Sequence, residues 1–161
     1  MTKRKFVHVF IFTAGAILLI TAIAKVVSAM GTARILGTPD PIFSIPFRDV
    51  FWIVGAIELA VAGVCFFGKR IAIQSSLVAW LATSFVLYRF GLKWVGYQKG
   101  CSCLGNLTDA LHISPASADI VLKIIVAYLL IGSYAVLLSL YYQRRVARQS
   151  SNPIEAPAPS A

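Results

Sequence analysis

Cys101 and Cys103 lie two residues apart in Gly100-Cys101-Ser102-Cys103-Leu104-Gly105-Asn106, a short polar break between long apolar segments. In a turned or extended backbone, residues at this spacing hold their Cα atoms about 5–7 Å apart, mostly within disulfide range. A ring so small staples almost no chain, so its entropic contribution to stability is near the minimum. Strained or exposed disulfides are the ones that exchange. The residue types therefore propose thiol–disulfide exchange, with Cys101 and Cys103 as the candidate catalytic pair. Lys99 nearby supplies positive charge of the kind that favours a thiolate. The alternatives are a static staple of the loop or two unpaired thiols. With His112 the pair would offer three metal ligands where a closed zinc site needs four, and no metal is expected. Cys65 is remote in sequence and reads as a small buried hydrophobe.

A second group of residues is informative because of where it lies. Lys25, Glu58 and Arg89 each interrupt an apolar run. Charges inside a membrane are expensive, and they usually face the bundle interior and pair. Counted at 1.5 Å per residue, all three fall in the same half of the membrane as the cysteine loop. One carboxylate and two cations suggest a polar network centred on Glu58, whose short side chain is badly placed to reach water. Lys25 and Arg89 can instead snorkel to the interface. Lys123 is expected at the interface. Trp52 and Trp80 are candidates to line a pocket for a quinone or lipid, with plain aromatic packing as the alternative; no other cofactor is evident.

The elements that must position these groups are set by composition. The 161 residues are 58% hydrophobic and 13% charged, with a mean hydropathy of +0.80. A soluble domain carries about twice that share of charge. Apolar runs cover 7–29, 51–68, 71–92 and 120–142. Each is close to the ~20 residues that cross a bilayer core, and lipid forces each to be a helix because it offers the backbone no hydrogen bonds. The expected fold is all-α: a four-helix transmembrane bundle in one domain over 1–149, with helices at about 7–29, 49–68, 71–93 and 116–142. Residues 150–161, with Pro153, Pro157 and Pro159, are expected to be a disordered tail. Val27-Ser28-Ala29 would suit a signal-peptidase cut, but the first apolar run is longer than a signal h-region, so it is expected to stay as a helix.

The net charge of +9 is not gathered into one patch of the kind nucleic acid needs. Lys3, Arg4, Lys5, Lys69, Arg70, Arg144, Arg145 and Arg148 flank runs on one side, and only Arg34, Arg48, Lys93 and Lys99 flank them on the other. This bias predicts cytoplasmic termini and a cysteine loop facing the periplasm or exterior of a cytoplasmic (inner) membrane. The 31–46 loop, with Thr38-Pro39-Asp40-Pro41, cannot be helical throughout. Ser114-Pro115 reads as a helix start, followed by Asp119 early in the last helix. Asn106-Leu107-Thr108 fits a glycosylation acceptor but reads better as turn chemistry.

Ala22-Ile23-Ala24-Lys25, Gly55-Ala56-Ile57-Glu58-Leu59-Ala60-Val61-Ala62-Gly63 and Cys101-Ser102-Cys103-Leu104-Gly105 together resemble the methylamine utilisation protein MauE family, within the DoxX-like group of small four-helix membrane proteins. The resemblance spans about residues 6–142. It implies a maturation role toward exported proteins, in the founding members the methylamine dehydrogenase small subunit, by disulfide formation or export. The expected partners are membrane lipid and an extracytoplasmic thioredoxin-like or substrate protein. A chain with a single loop pair needs a partner thiol protein, or another copy of itself, to pass electrons on. The rival readings are a non-enzymatic accessory subunit that docks through the cysteine loop, and a small transporter or quinone-binding protein built on the charged cluster.

Overall fold

The computed structural model describes residues 3–31, 34–96 and 115–150. The cysteine loop, His112, Ser114 and the tail from 151 onward lie outside the described residues. Four long helices dominate: α1 (Lys3–Met30), α2 (Phe47–Phe67), α3 (Ile71–Trp94) and α4 (Pro115–Ser150), with a 3-10 turn at Arg34–Gly37 between the first two. Among the described residues there is no strand beyond one isolated bridge between Pro39 and Pro46. All four helices are long and apolar enough to cross a membrane, with mean hydropathy of 1.6 to 2.4 in their apolar windows. Much of the outer surface is large and apolar, including Phe12, Ile20, Leu87, Phe90 and Ile131. In lipid such a surface costs nothing; in water it would far exceed the patches that soluble monomers expose.

The helices run alternately up and down. Contacts between α1 and α2 pair Gly15 with Cys65 and Lys25 with Glu58, numbers that move in opposite directions. Phe10 meets Gly132 and Thr13 meets Tyr128 in the same antiparallel sense. One end of the bundle therefore carries the 31–46 and 97–114 connections. The other carries the start of α1, the end of α4 and the 68–70 turn. Packing is tightest within the α1–α2 and α3–α4 pairs.

The main core is built from Phe10, Ala14 and Leu18 of α1, Val61 and Cys65 of α2, Val78 and Ala82 of α3, and Leu129 of α4. Membrane helices associate by close packing and hydrogen bonds, since lipid tails are as apolar as leucine. Gly132 illustrates the first: a Cβ there would lie 2.1 Å from the Phe10 ring, so the missing side chain is the socket for that ring. The Thr13–Tyr128 hydroxyl pair, at 2.8 Å, illustrates the second. Cys65 is 6% exposed and packs against Gly15, as a small hydrophobe does. At the turn end, Gln74 Nε2 lies 3.1, 3.1 and 2.9 Å from the carbonyl oxygens of Val64, Cys65 and Gly68. The Val64 carbonyl also accepts the Gly68 N–H at 2.8 Å, so the side chain serves chiefly the Cys65 and Gly68 carbonyls beyond the last helical bond of α2.

Two helix limits differ from the apolar runs. α1 begins at Lys3 and α4 continues to Ser150, eight residues past 142. The stretch Gln143-Arg144-Arg145-Val146-Ala147-Arg148 contains good helix formers and no breaker. The apolar run marks where lipid ends, and the helix continues beyond it.

Candidate functional site

The 31–46 connection folds back on the bundle around Asp40. The Asp40 backbone N–H donates to Ile45 O and the Ser44 N–H to Asp40 O, both at 2.8 Å. The Asp40 carboxylate accepts from the N–H groups of Ile42 and Phe43 at 2.8 and 2.9 Å and from the Tyr88 hydroxyl of α3. Ser44 is left-handed, at φ 57. That conformation costs a non-glycine residue roughly 1–2 kcal/mol, which the Asp40 bonds can offset. Asp40 is 1% exposed. Phe43 stacks on Tyr88 with ring centroids 5.8 Å apart, and Ile42 rests on Gly91. The hairpin is thus a fixed roof over the loop end of α3.

Beneath it lies the Lys25–Glu58 pair. Lys25 Nζ donates to both carboxylate oxygens of Glu58, at 2.7 and 2.9 Å, and Glu58 is 1% exposed. Two charges out of water are tolerable only when their geometry is good and their remaining valences are met. Gly55 allows this meeting: a Cβ there would lie 3.2 Å from Val26, so α1 and α2 approach closely one turn from the pair. Thr21, whose hydroxyl donates to Leu18 O at 3.0 Å, lines the same small cavity as Glu58. The Lys25 ammonium sits 5.5 Å from the centre of the Phe85 ring, a favourable cation–π position.

Arg89, expected with Lys25 and Glu58, stands on the wall of a water-sized cavity of about 50 Å³ that both also line. Its guanidinium pairs with Asp119 of α4, and Lys123 donates to the same carboxylate at 2.7 Å. The charges form two groups: a buried pair joining α1 to α2, and a partly exposed triad joining α3 to α4. The triad clamps the two helices from which the cysteine connection springs. The chain leaves α3 after Trp94 and passes through Gly96, in the left-handed region at φ 75. Cys101 and Cys103 themselves lie outside the described residues.

On the other side of Lys25 is a larger cavity of about 260 Å³ between α2 and α3. Its walls include Phe43, Phe47, Phe51, Trp80, Phe85 and Tyr88. Trp80 is therefore a wall residue, whereas Trp52 is not among the lining residues. Among the described residues no group of three or more His, Cys, Asp or Glu is placed to hold a metal ion. Reasoning from sequence missed Asp40 and Tyr88. The only signal was an acid inside a proline-rich turn, which reads as ordinary turn chemistry.

Comparison with known proteins finds no matching family model, no matching curated protein and no matching solved structure.

Proposed function

We propose that this chain is a multi-pass protein of the cytoplasmic membrane, both termini inside, that carries out thiol–disulfide exchange on exported proteins. The resemblance to the MauE family points the same way, toward maturation of an exported partner. The observation that carries the reading is the Cys-x-Cys element in the connection between α3 and α4, whose helix ends are held together by Arg89, Asp119 and Lys123. A strained pair on a fixed base is suited to exchange rather than to stapling.

The chemistry balances as follows. A thiolate of the exported protein attacks one sulfur of the Cys101–Cys103 disulfide, forming a mixed disulfide and releasing the other cysteine as thiolate. A second substrate thiol attacks the mixed disulfide. The substrate leaves with its own disulfide, and Cys101 and Cys103 hold the two electrons and the two protons as a dithiol. Exchange with an oxidised thioredoxin-like partner outside the membrane restores the pair.

Trapping tests this directly. Acid quench of growing cells followed by a heavy maleimide should show Cys101 and Cys103 oxidised and reducible by mild dithiol. Cys101→Ser or Cys103→Ser should leave the other thiol able to trap a partner as a mixed disulfide, and Cys65→Ser should change neither result. Full maturation of the exported partner by the double serine variant would sink the redox reading and favour a docking subunit.

A further inference from the structure

The Lys25 ammonium has three hydrogens, and Glu58 takes two of them. The third has no oxygen acceptor among the described residues; its neighbour is the Phe85 ring. Lys25 is 7% exposed, and it reaches the wall of the 260 Å³ cavity. A buried donor without an acceptor costs free energy, so the cavity is built to receive something that can accept. Around it the walls are aromatic, with Phe47 and Phe51 of α2 facing Trp80, Phe85 and Tyr88 of α3 and the Phe43 roof above. The cavity lies between α2 and α3 toward the ends of those helices remote from their 68–70 turn. Trp80 stands in that wall and is 56% exposed on the apolar outer face, so the way in is from lipid.

We propose that this cavity binds a neutral, lipid-soluble molecule with a planar ring bearing a carbonyl oxygen, of the isoprenoid-quinone class, the carbonyl accepting from Lys25. Charge excludes the obvious competitors. Lys25 is already neutralised by Glu58, so a phosphate or fatty-acid carboxylate entering here would meet a carboxylate it repels and a cation already spent. A bare acyl chain would fill the space and leave the third N–H without a partner. A neutral carbonyl answers both conditions. Size agrees: the volume lies just under the ~300 Å³ at which pockets for drug-sized ligands begin, which suits one substituted ring with its tail left in the bilayer. Flat rings also take the offset-stacked and edge-on contacts that such walls offer.

The test uses the full chain in nanodiscs, with Trp52→Phe and Trp94→Phe so that Trp80 is the only tryptophan reporter. Decyl-ubiquinone should quench Trp80 saturably. Ser84→Phe, which fills the cavity from α3, should weaken binding about tenfold or more. So should the paired Lys25→Met/Glu58→Met change, which removes the donor and keeps the site neutral; about a tenfold loss is the scale of one hydrogen bond to a charged group. A ring-free decyl hydrocarbon should not compete. Quenching that rises linearly without saturation, or saturable quenching unchanged by Ser84→Phe, overturns the site. Equal competition by the hydrocarbon overturns the ring-and-carbonyl assignment. The Cys101→Ser/Cys103→Ser variant should bind as the parent does, so the fate of this site and that of the exchange reading are decided separately.

Discussion

Glu58 is the residue on which the interior charge balance turns. Removing it leaves the Lys25 ammonium buried with no counter-ion, a change that costs on the order of 3–5 kcal/mol in soluble proteins. In membranes the value falls because unfolded helices also find partners. Lys123 is different: it pairs with Asp119 one helical turn away and is largely exposed, where such pairs contribute only ~0.3–0.5 kcal/mol. Denaturation in mild detergent should therefore rank Glu58→Ala well below Lys123→Ala in stability. Lys25→Met/Glu58→Met should recover most of the loss, because neither charge is then stranded. Equal stability of the two alanine variants would remove Glu58 from any structural role. Lys25 and Glu58 were legible in the sequence because charge inside an apolar run has few ways to be satisfied. The partner of Arg89 was not, since two carboxylates, Glu58 and Asp119, lay within plausible reach and only the rotation of α3 about its axis chooses between them. Gln74 gave no signal at all: a polar residue near a helix start is ordinary until its neighbour's open carbonyls are seen beside it.

Between residue and bundle stands the Asp40 hairpin. A single carboxylate holds two backbone N–H groups and the Tyr88 hydroxyl, so it fixes both the shape of the loop and its seat on α3. Asp40→Ala leaves these donors open at a cost of about 1–3 kcal/mol for a buried group. It leaves the helix–helix core untouched. Amide exchange at Ile42 and Phe43 should accelerate together in this variant, with α1 and α2 amides near Gly15 and Cys65 unchanged. If exchange stays slow, the hairpin is held by Phe43 and Ile42 packing rather than by Asp40. Element existence was readable here and element shape was not. The prolines ruled out a continuous helix over 31–46, but a short 3-10 turn followed by a carboxylate-centred hairpin depends on the position of Tyr88, 48 residues away. Helix ends were blurred for a related reason. Hydropathy reports the thickness of lipid, and Lys3–Met30 and Pro115–Ser150 both outrun it.

At the scale of the molecule, four apolar helices of alternating direction put two of the connections at one end, and the start of α1 and the end of α4 at the other. The bundle alone is nearly symmetric with respect to the membrane; the cations decide which end faces the cytoplasm. Lys69 and Arg70 lie in the 68–70 turn, and Arg144 lies near them across a shared groove with Leu140, with Arg145 next to it in sequence. With Lys3, Arg4, Lys5 and Arg148 they make eight, against Arg34, Arg48, Lys93 and Lys99 flanking the apolar runs at the other end. Short loops and helix flanks are where such a bias sets orientation. A reporter active only outside the cytoplasm should accordingly work when fused near Asn106 and fail when fused near Lys69 or Gln149. The exchange chemistry depends on this result, because disulfides persist in oxidising compartments and not in the cytosol. Activity at Lys69 with silence at Asn106 would turn the bundle over and place Cys101 and Cys103 among reduced thiols. The cavity between α2 and α3 would keep its lipid access in either orientation, since its mouth opens sideways into the bilayer.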